Sequence, residues 1–200
     1  AASAPSPASA MTPESPDAVG AALKAHPRTG FLPPEVREQA AYDGPLPIGH
    51  GQTNSQPRTV ANMLRLLDVA PGMRVLDVGS GSGWSTALLA HLVGATGEVR
   101  GGELVPELAR WGAANLAATQ QPWASIVAAT PGVLGLPAHG PFDRILVSAE
   151  PDTLPQTLVD QLKDGGAMVI PVAGEMLRVV RRGDKTEITR HGGYRFVPLK

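Results

Sequence analysis

Residues 74–90 read RVLDVGSGSGWSTALLA and hold the densest chemistry in the chain. An apolar run ends at Asp77-Val78, a loop of Gly79-Ser80-Gly81-Ser82-Gly83 follows, and a helical pattern starts at Trp84. Glycine lets the backbone turn sharply and lets a ligand approach the main chain. In open α/β sheets such junctions bind ligands at the carboxyl ends of the strands. Two ligand classes fit poorly. A dinucleotide fingerprint G-x-G-x-x-G would need a third glycine at 84, where Trp84 stands. A phosphate loop would need Gly-Lys-Ser/Thr, which is absent. Asp77, two residues ahead of the first glycine, suits a cationic ligand end such as an amino group and would repel a pyrophosphate. The other reading of Asp77 is a strand-end cap.

A second stretch, IGHGQTNSQP (48–57), contains no acid, lysine or arginine. It is too glycine-rich for a good helix and too polar for a buried strand. Ser55 stands just before Gln56-Pro57, so it is also a candidate helix cap, with proline in the first turn.

The surrounding elements alternate. After Pro33-Pro34 a short helix is expected over 36–41. Val60, Met63, Leu64 and Leu67 make an apolar helical face that Pro71-Gly72 ends. Strands are expected over 73–78, within 97–104, and over 123–129, 142–149 and 167–172. Helices are expected over 84–93, 106–118 and 154–162. Segments 175–182 and 185–191 read as a hairpin around Gly183-Asp184, and 194–199 as a last strand. Strands alternating with helices imply an α/β fold with a mostly parallel sheet covered on both faces. Glu103, at the end of the second strand of this series, stands where a ribose-binding acid is expected. Its other reading is a solvated turn acid.

Composition narrows the classes. Two hundred residues with 42% hydrophobic content suggest one domain over 16–200, behind an Ala/Ser/Pro-rich flexible tail over 1–15. That tail has neither the positive start nor the apolar core of a secretory signal. A net charge of −1 offers no footprint for nucleic acid, and no apolar run approaches a membrane span. The absence of cysteine excludes disulfides and thiolate chemistry and fits a reducing cytoplasm. The five histidines, at 26, 50, 91, 139 and 191, have no metal-ligand spacing, so no metal is expected.

D-x-G-x-G-x-G is the loop form of class I methyltransferases that bind S-adenosylmethionine. With AYDGPLPIGHGQTNSQP (41–57) ahead of it, the chain resembles the protein-L-isoaspartate O-methyltransferases. The likeness continues through GPFDRILVSAE (140–150), LPQTLVDQLKDGGAMVIPV (154–172) and RFVPL (195–199). It implies a three-layer Rossmann-like fold with a C-terminal antiparallel hairpin. It implies S-adenosylmethionine as donor, S-adenosylhomocysteine as product, and damaged isoaspartyl proteins or peptides, with D-aspartyl residues as a further acceptor. It also implies a monomer. By the resemblance Ser55 and Thr53 are active-site residues and Gln52 helps shape the peptide pocket. Asp77, Gly79, Ser80, Gly81, Ser82, Gly83, Glu103 and Gly132 are the expected cofactor-binding set.

The chemistry agrees with such a neutral loop. A free carboxyl has a pKa of about 4 and is already ionised at neutral pH, so no general base is needed. Hydroxyl and N–H donors can orient it without the salt bridge that would lower its nucleophilicity.

Two departures stand out. The family commonly carries Gly-Asp-Gly before the fourth strand, its aspartate meeting the adenine amino group; here Thr130-Pro131-Gly132 stands there, and weaker cofactor binding is expected. Arg58 replaces an aromatic or histidine, adding charge beside the peptide entrance. These differences leave open an enzyme dedicated to one precursor peptide, or a cofactor-binding protein without catalysis.

Overall fold

The computed structural model describes residues 16–200, so the expected flexible tail over 1–15 lies outside the described residues. The sheet grows outward from β3 (Arg74–Val78), four of whose five residues are buried. It is flanked by β4 (Glu98–Glu103) and then β5 (Ala124–Ala128) on one side. On the other come β6 (Phe142–Val147), β7 (Leu162–Val172), β8 (Glu175–Arg182) and β9 (Lys185–Gly193). Strands β5-β4-β3-β6-β7 run parallel, and β8 and β9 add antiparallel.

Period-2 alternation sends side chains to two cores. Val75, Leu146 and Val169 join one cluster, while Leu76, Ile145 and Met168 join the other. The first face is covered by α1 (Ala18–Ala25), α2 (Pro57–Leu67), α3 (Trp84–Val93) and α4 (Pro106–Ala117). The second is covered by α5 (Gln156–Val159) and the loop residues Leu134 and Leu136. The three-layer order is that of the Rossmann-like methyltransferases, but the helices are unevenly shared.

Local differences from the expected elements have identifiable causes. The segment after Pro33 forms a 3-10 helix over Pro34–Gln39 rather than an α-helix over 36–41, with no buried residue to reward a longer element. Helix α1, which the sequence pattern did not predict, starts from Asp17, whose carboxylate accepts from Gly20 N–H at 3.1 Å. The expected helix over 154–162 shortens to α5 because β7 begins at Leu162, pairing Leu162 with Phe142. Segment 194–199 makes one bridge, Glu150 with Pro198, instead of a strand. Proline lacks the N–H that a ladder needs.

The stretch judged too polar for a strand forms a two-stranded ribbon, β1 (Leu46–Gly49) with β2 (Gln52–Asn54). Only one side is buried, as the alternating pattern of β1 records. Gly49 pairs with Gln52, leaving His50-Gly51 as a two-residue turn with φ of 55° and 71°. Two consecutive positive φ values are what a type I′ hairpin turn requires. That need explains Gly51, while His50 takes the left-handed region as a non-glycine residue.

Candidate active site

The donor side is built where β3 and β4 end. Gly79 and Ser80 N–H both donate to Gly102 O, at 2.9 and 3.1 Å, so the glycine loop is tied back onto β4. Glu103 closes the turn. Its Oε1 accepts from Gly81 N–H and its Oε2 from Val105 N–H, each at 3.0 Å. Each oxygen keeps a further lone pair for a ribose hydroxyl. Gly83 is needed for close approach: at φ 89° a Cβ there would meet Gly112 O at 2.7 Å. The loop therefore lies directly on α4, and Trp84 turns into the core beneath it.

Asp77 lies under this floor and is wholly buried. Its Oδ2 accepts from Ser85 and Thr86 hydroxyls at 2.7 and 2.8 Å. Its Oδ1 has no hydrogen-bond partner among the described residues. Burial pushes its carboxyl up to about 6, the two hydroxyls pull it down, and Glu103 adds to the rise. Direct contact with a ligand amino group, as expected from sequence, is not the geometry seen. The carboxylate instead ties the first turn of α3 to the end of β3.

The acceptor side is the β1–β2 ribbon. Gln52, Thr53 and Ser55 line the same cavity as Gly79, Gly81, Gly102 and Glu103, a space of about 720 Å³. Ser55 caps nothing: Gln56 is the N-cap of α2 and makes no side-chain cap bond. Glu103 is the only acidic side chain lining this cavity among the described residues.

Several expected cofactor residues contribute otherwise than by facing the cavity. Ser80, Ser82 and Gly83 shape the loop without lining it. Gly132 lines an adjoining outer groove, while its neighbours Thr130, Val133 and Leu134 reach the cavity. Arg58 sits outside the lining with its side chain 77% exposed and 3.5 Å from Asp43, which offsets the added charge.

Sequence reasoning passed over several participants. Leu104, Val105, Val133 and Leu134 form an apolar bank beside Glu103, suited to a nucleobase. Gln161 holds that bank, accepting from Leu136 N–H and donating to Leu134 O, both at 2.9 Å. Tyr194 to Leu199 close the far wall, held by Glu150 N–H to Val197 O at 2.8 Å. Arg28 and Asn54 lie behind the ribbon, 5% exposed each. No periodicity marks Arg28; Asn54 was visible inside the loop motif, but nothing local said that it turns inward.

The residues present fit an S-adenosyl group. Glu103 can take a ribose diol, and the apolar bank a base. A Cβ at Gly102 would meet nothing within 4 Å, so the floor is left open by glycine where a ligand must lie close. Among the described residues no set of three His, Cys, Asp or Glu side chains could hold a metal, and no helix is long and apolar enough to cross a membrane.

Comparison with known proteins gives the kinship directly. Residues 13–200 match the family described as protein-L-isoaspartate(D-aspartate) O-methyltransferase (PCMT). The protein-L-isoaspartate O-methyltransferase of Methanopyrus kandleri is 44% identical over 186 residues, covering 90% of this chain and 82% of its own. That of Methanothrix thermoacetophila is 43% identical over 180 residues, covering 89% and 85%. A Plasmodium falciparum chain described as a protein-L-isoaspartate O-methyltransferase, crystallised with S-adenosyl-L-homocysteine, superposes with a TM-score of 0.81 at 28% identity, covering 92% of this chain and 91% of that one. The chain belongs to the protein-L-isoaspartate(D-aspartate) O-methyltransferase family.

Proposed function

We propose that this chain transfers the methyl group of S-adenosylmethionine to the free carboxylate of L-isoaspartyl residues, and of D-aspartyl residues, in damaged proteins. The donor supplies an electrophilic methyl group. Glu103, the Gly79–Gly81 backbone and the bank of Leu104, Val133 and Leu134 would hold it. Thr53 and Ser55 present neutral hydroxyls to the acceptor carboxylate, with Gln52 beside them. The carboxylate arrives ionised, so the site moves no proton before transfer. Its work is orientation and exclusion of water, which is worth ~7–11 kcal/mol where alignment is good. The ester formed is a better leaving group than the carboxylate. The neighbouring amide nitrogen then displaces methanol to form a succinimide, which opens partly to normal aspartate without the enzyme.

The observation that carries this reading is the shared cavity, in which the Glu103 floor and the Thr53–Ser55 ribbon face one space. General repair is favoured over one dedicated peptide because Arg58 is paired with Asp43 and stands outside the lining. A cytoplasmic setting is supported by the absence of cysteine.

The test supplies methyl-labelled donor with matched aspartyl and isoaspartyl peptides of several unrelated sequences. Label should enter only the isoaspartyl members, as a base-labile ester. Transfer to a single sequence would indicate a dedicated substrate. Label in none, with S-adenosylhomocysteine still bound, would leave a non-catalytic binding protein.

A further inference from the structure

We propose that Arg28 and Asn54 are positioning residues, which with the Ser82 hydroxyl form a buried strut that sets the acceptor ribbon against the donor loop. The inference rests on the reading of Ser55 as part of the carboxylate cradle.

The bonds run in one connected series. Arg28 Nε donates to Asn54 Oδ1 at 2.6 Å, and Asn54 Nδ2 donates to Ser82 Oγ at 3.1 Å. The same guanidinium donates through its terminal nitrogens to Tyr42 O at 2.8 Å, Gly44 O at 2.7 Å, Asn54 O at 3.1 Å and Ser55 O at 3.2 Å. Its carbon also lies 5.9 Å from the Trp84 ring centre, over the first residue of α3. One rigid fork thus grips the chain that enters the ribbon and the chain that leaves it. Asn54 uses both ends of its amide, and Ser82 is 3% exposed and does not line the cavity.

Stability alone is a poor reason for this arrangement. Among the described residues Arg28 makes no ion pair. A buried cation whose carboxylate neighbour, Asp43, acts on it only from beyond ion-pair contact is costly to desolvate, and apolar packing would stabilise the fold at lower cost. What the polar series supplies is register. A short two-stranded ribbon is marginal by itself and has no fixed place on a larger sheet. Asn54 is adjacent to Ser55, and Ser82 lies in the glycine loop. The strut therefore fixes the gap across which the methyl group moves. Displacements of ~1 Å can lower rates ~100-fold in such geometry.

The experiment uses Ser82→Ala, which cuts the strut at its donor-loop end and leaves Arg28 bonded to Asn54. Replacing buried Arg28 itself risks unfolding. Measured are kcat at saturating isoaspartyl peptide and donor, the Kd of S-adenosylhomocysteine, and the thermal midpoint. Expected is a kcat loss of about fivefold with Kd within about twofold, and a midpoint lower by a few degrees because Asn54 Nδ2 loses its buried acceptor, the chain staying folded at the assay temperature. In a Ser55→Ala background the added loss should shrink below about twofold, because both changes act on one alignment. The proposal is overturned by an unchanged kcat, by a loss matched by weaker Kd, or by losses that multiply fully. A loss in Ser55→Ala with a silent Ser82→Ala would sink the strut and spare the cradle. A silent Ser55→Ala would sink both.

Discussion

The two walls of the cavity are made differently. The donor wall stands on the ends of central strands, and its loop is bonded to β4 through Gly102 O and the Glu103 carboxylate. Its neighbours Val75, Leu76 and Val99 are fully buried. The acceptor wall is a nine-residue hairpin over 46–54 outside that sheet, with an exposed tip at His50 and Gly51. It is held by the side chains of Arg28 and Asn54. One wall inherits its geometry from the fold. The other must be placed by polar contacts made across the chain. Affinity for the donor and alignment of the acceptor should therefore be separable by mutation.

The largest separation is expected from Glu103→Gln. Each carboxylate oxygen serves a backbone N–H and can serve a ribose hydroxyl, and bonds to a charged group are worth ~1.5–3 kcal/mol. Calorimetry should show S-adenosylhomocysteine binding weaker by about 100-fold or more. An effect below threefold would remove Glu103 from the donor wall.

A second effect lies under that wall. Asp77 titrates near 6 in the folded chain against an ordinary 3.8, chiefly because it is buried. The folded state thus holds the proton more tightly. Its stabilising contribution is fully present below pH 3.8 and is lost as pH rises through 6. Asp77→Asn should then unfold at higher urea than the parent chain at pH 7.5, by on the order of 2 kcal/mol, with the gain fading by pH 4.5. A gain independent of pH would show that the carboxylate is not buried as an ion.

On the acceptor wall, Ser55→Ala should reduce kcat about tenfold while leaving S-adenosylhomocysteine affinity within twofold, as loss of one hydrogen bond to a charged group predicts. Equal losses in both would mean that the walls are not independent. The smallest change is expected at the nucleobase end, where Pro131→Asp should tighten product binding about threefold by adding one acceptor. Pro131 is exposed and only its neighbours line the cavity, which limits the gain. Unchanged affinity would indicate that the adenine amino group lies elsewhere.

Much of the donor wall was legible along the chain. Asp77, the three glycines and Glu103 fall in two strand-end segments, and the spacing that builds them is local. What local spacing did not reveal was direction: Asp77 faces the core rather than the ligand because β3 is buried on both faces and residue 77 points beneath the loop. The ribbon was legible as a motif but not as a hairpin, because its strands are short and β1 buries only one side. Segment 194–199 showed strand-like residues, yet it was its path beside Glu150 that made it a cavity wall.

Taken alone, then, the order of residues determined the parallel sheet, the glycine turn, the acid that ends β4 and the neutral character of the acceptor loop. Those follow from side-chain size, backbone freedom and periodicity over a few residues. Only the tertiary structure decided where the acceptor loop sits. Arg28 reaches Asn54 across 26 positions and Asn54 reaches Ser82 across 28. Hydrogen bonds at such separations exist only after the sheet and its helices have closed around them, so no local pattern of residues could announce them.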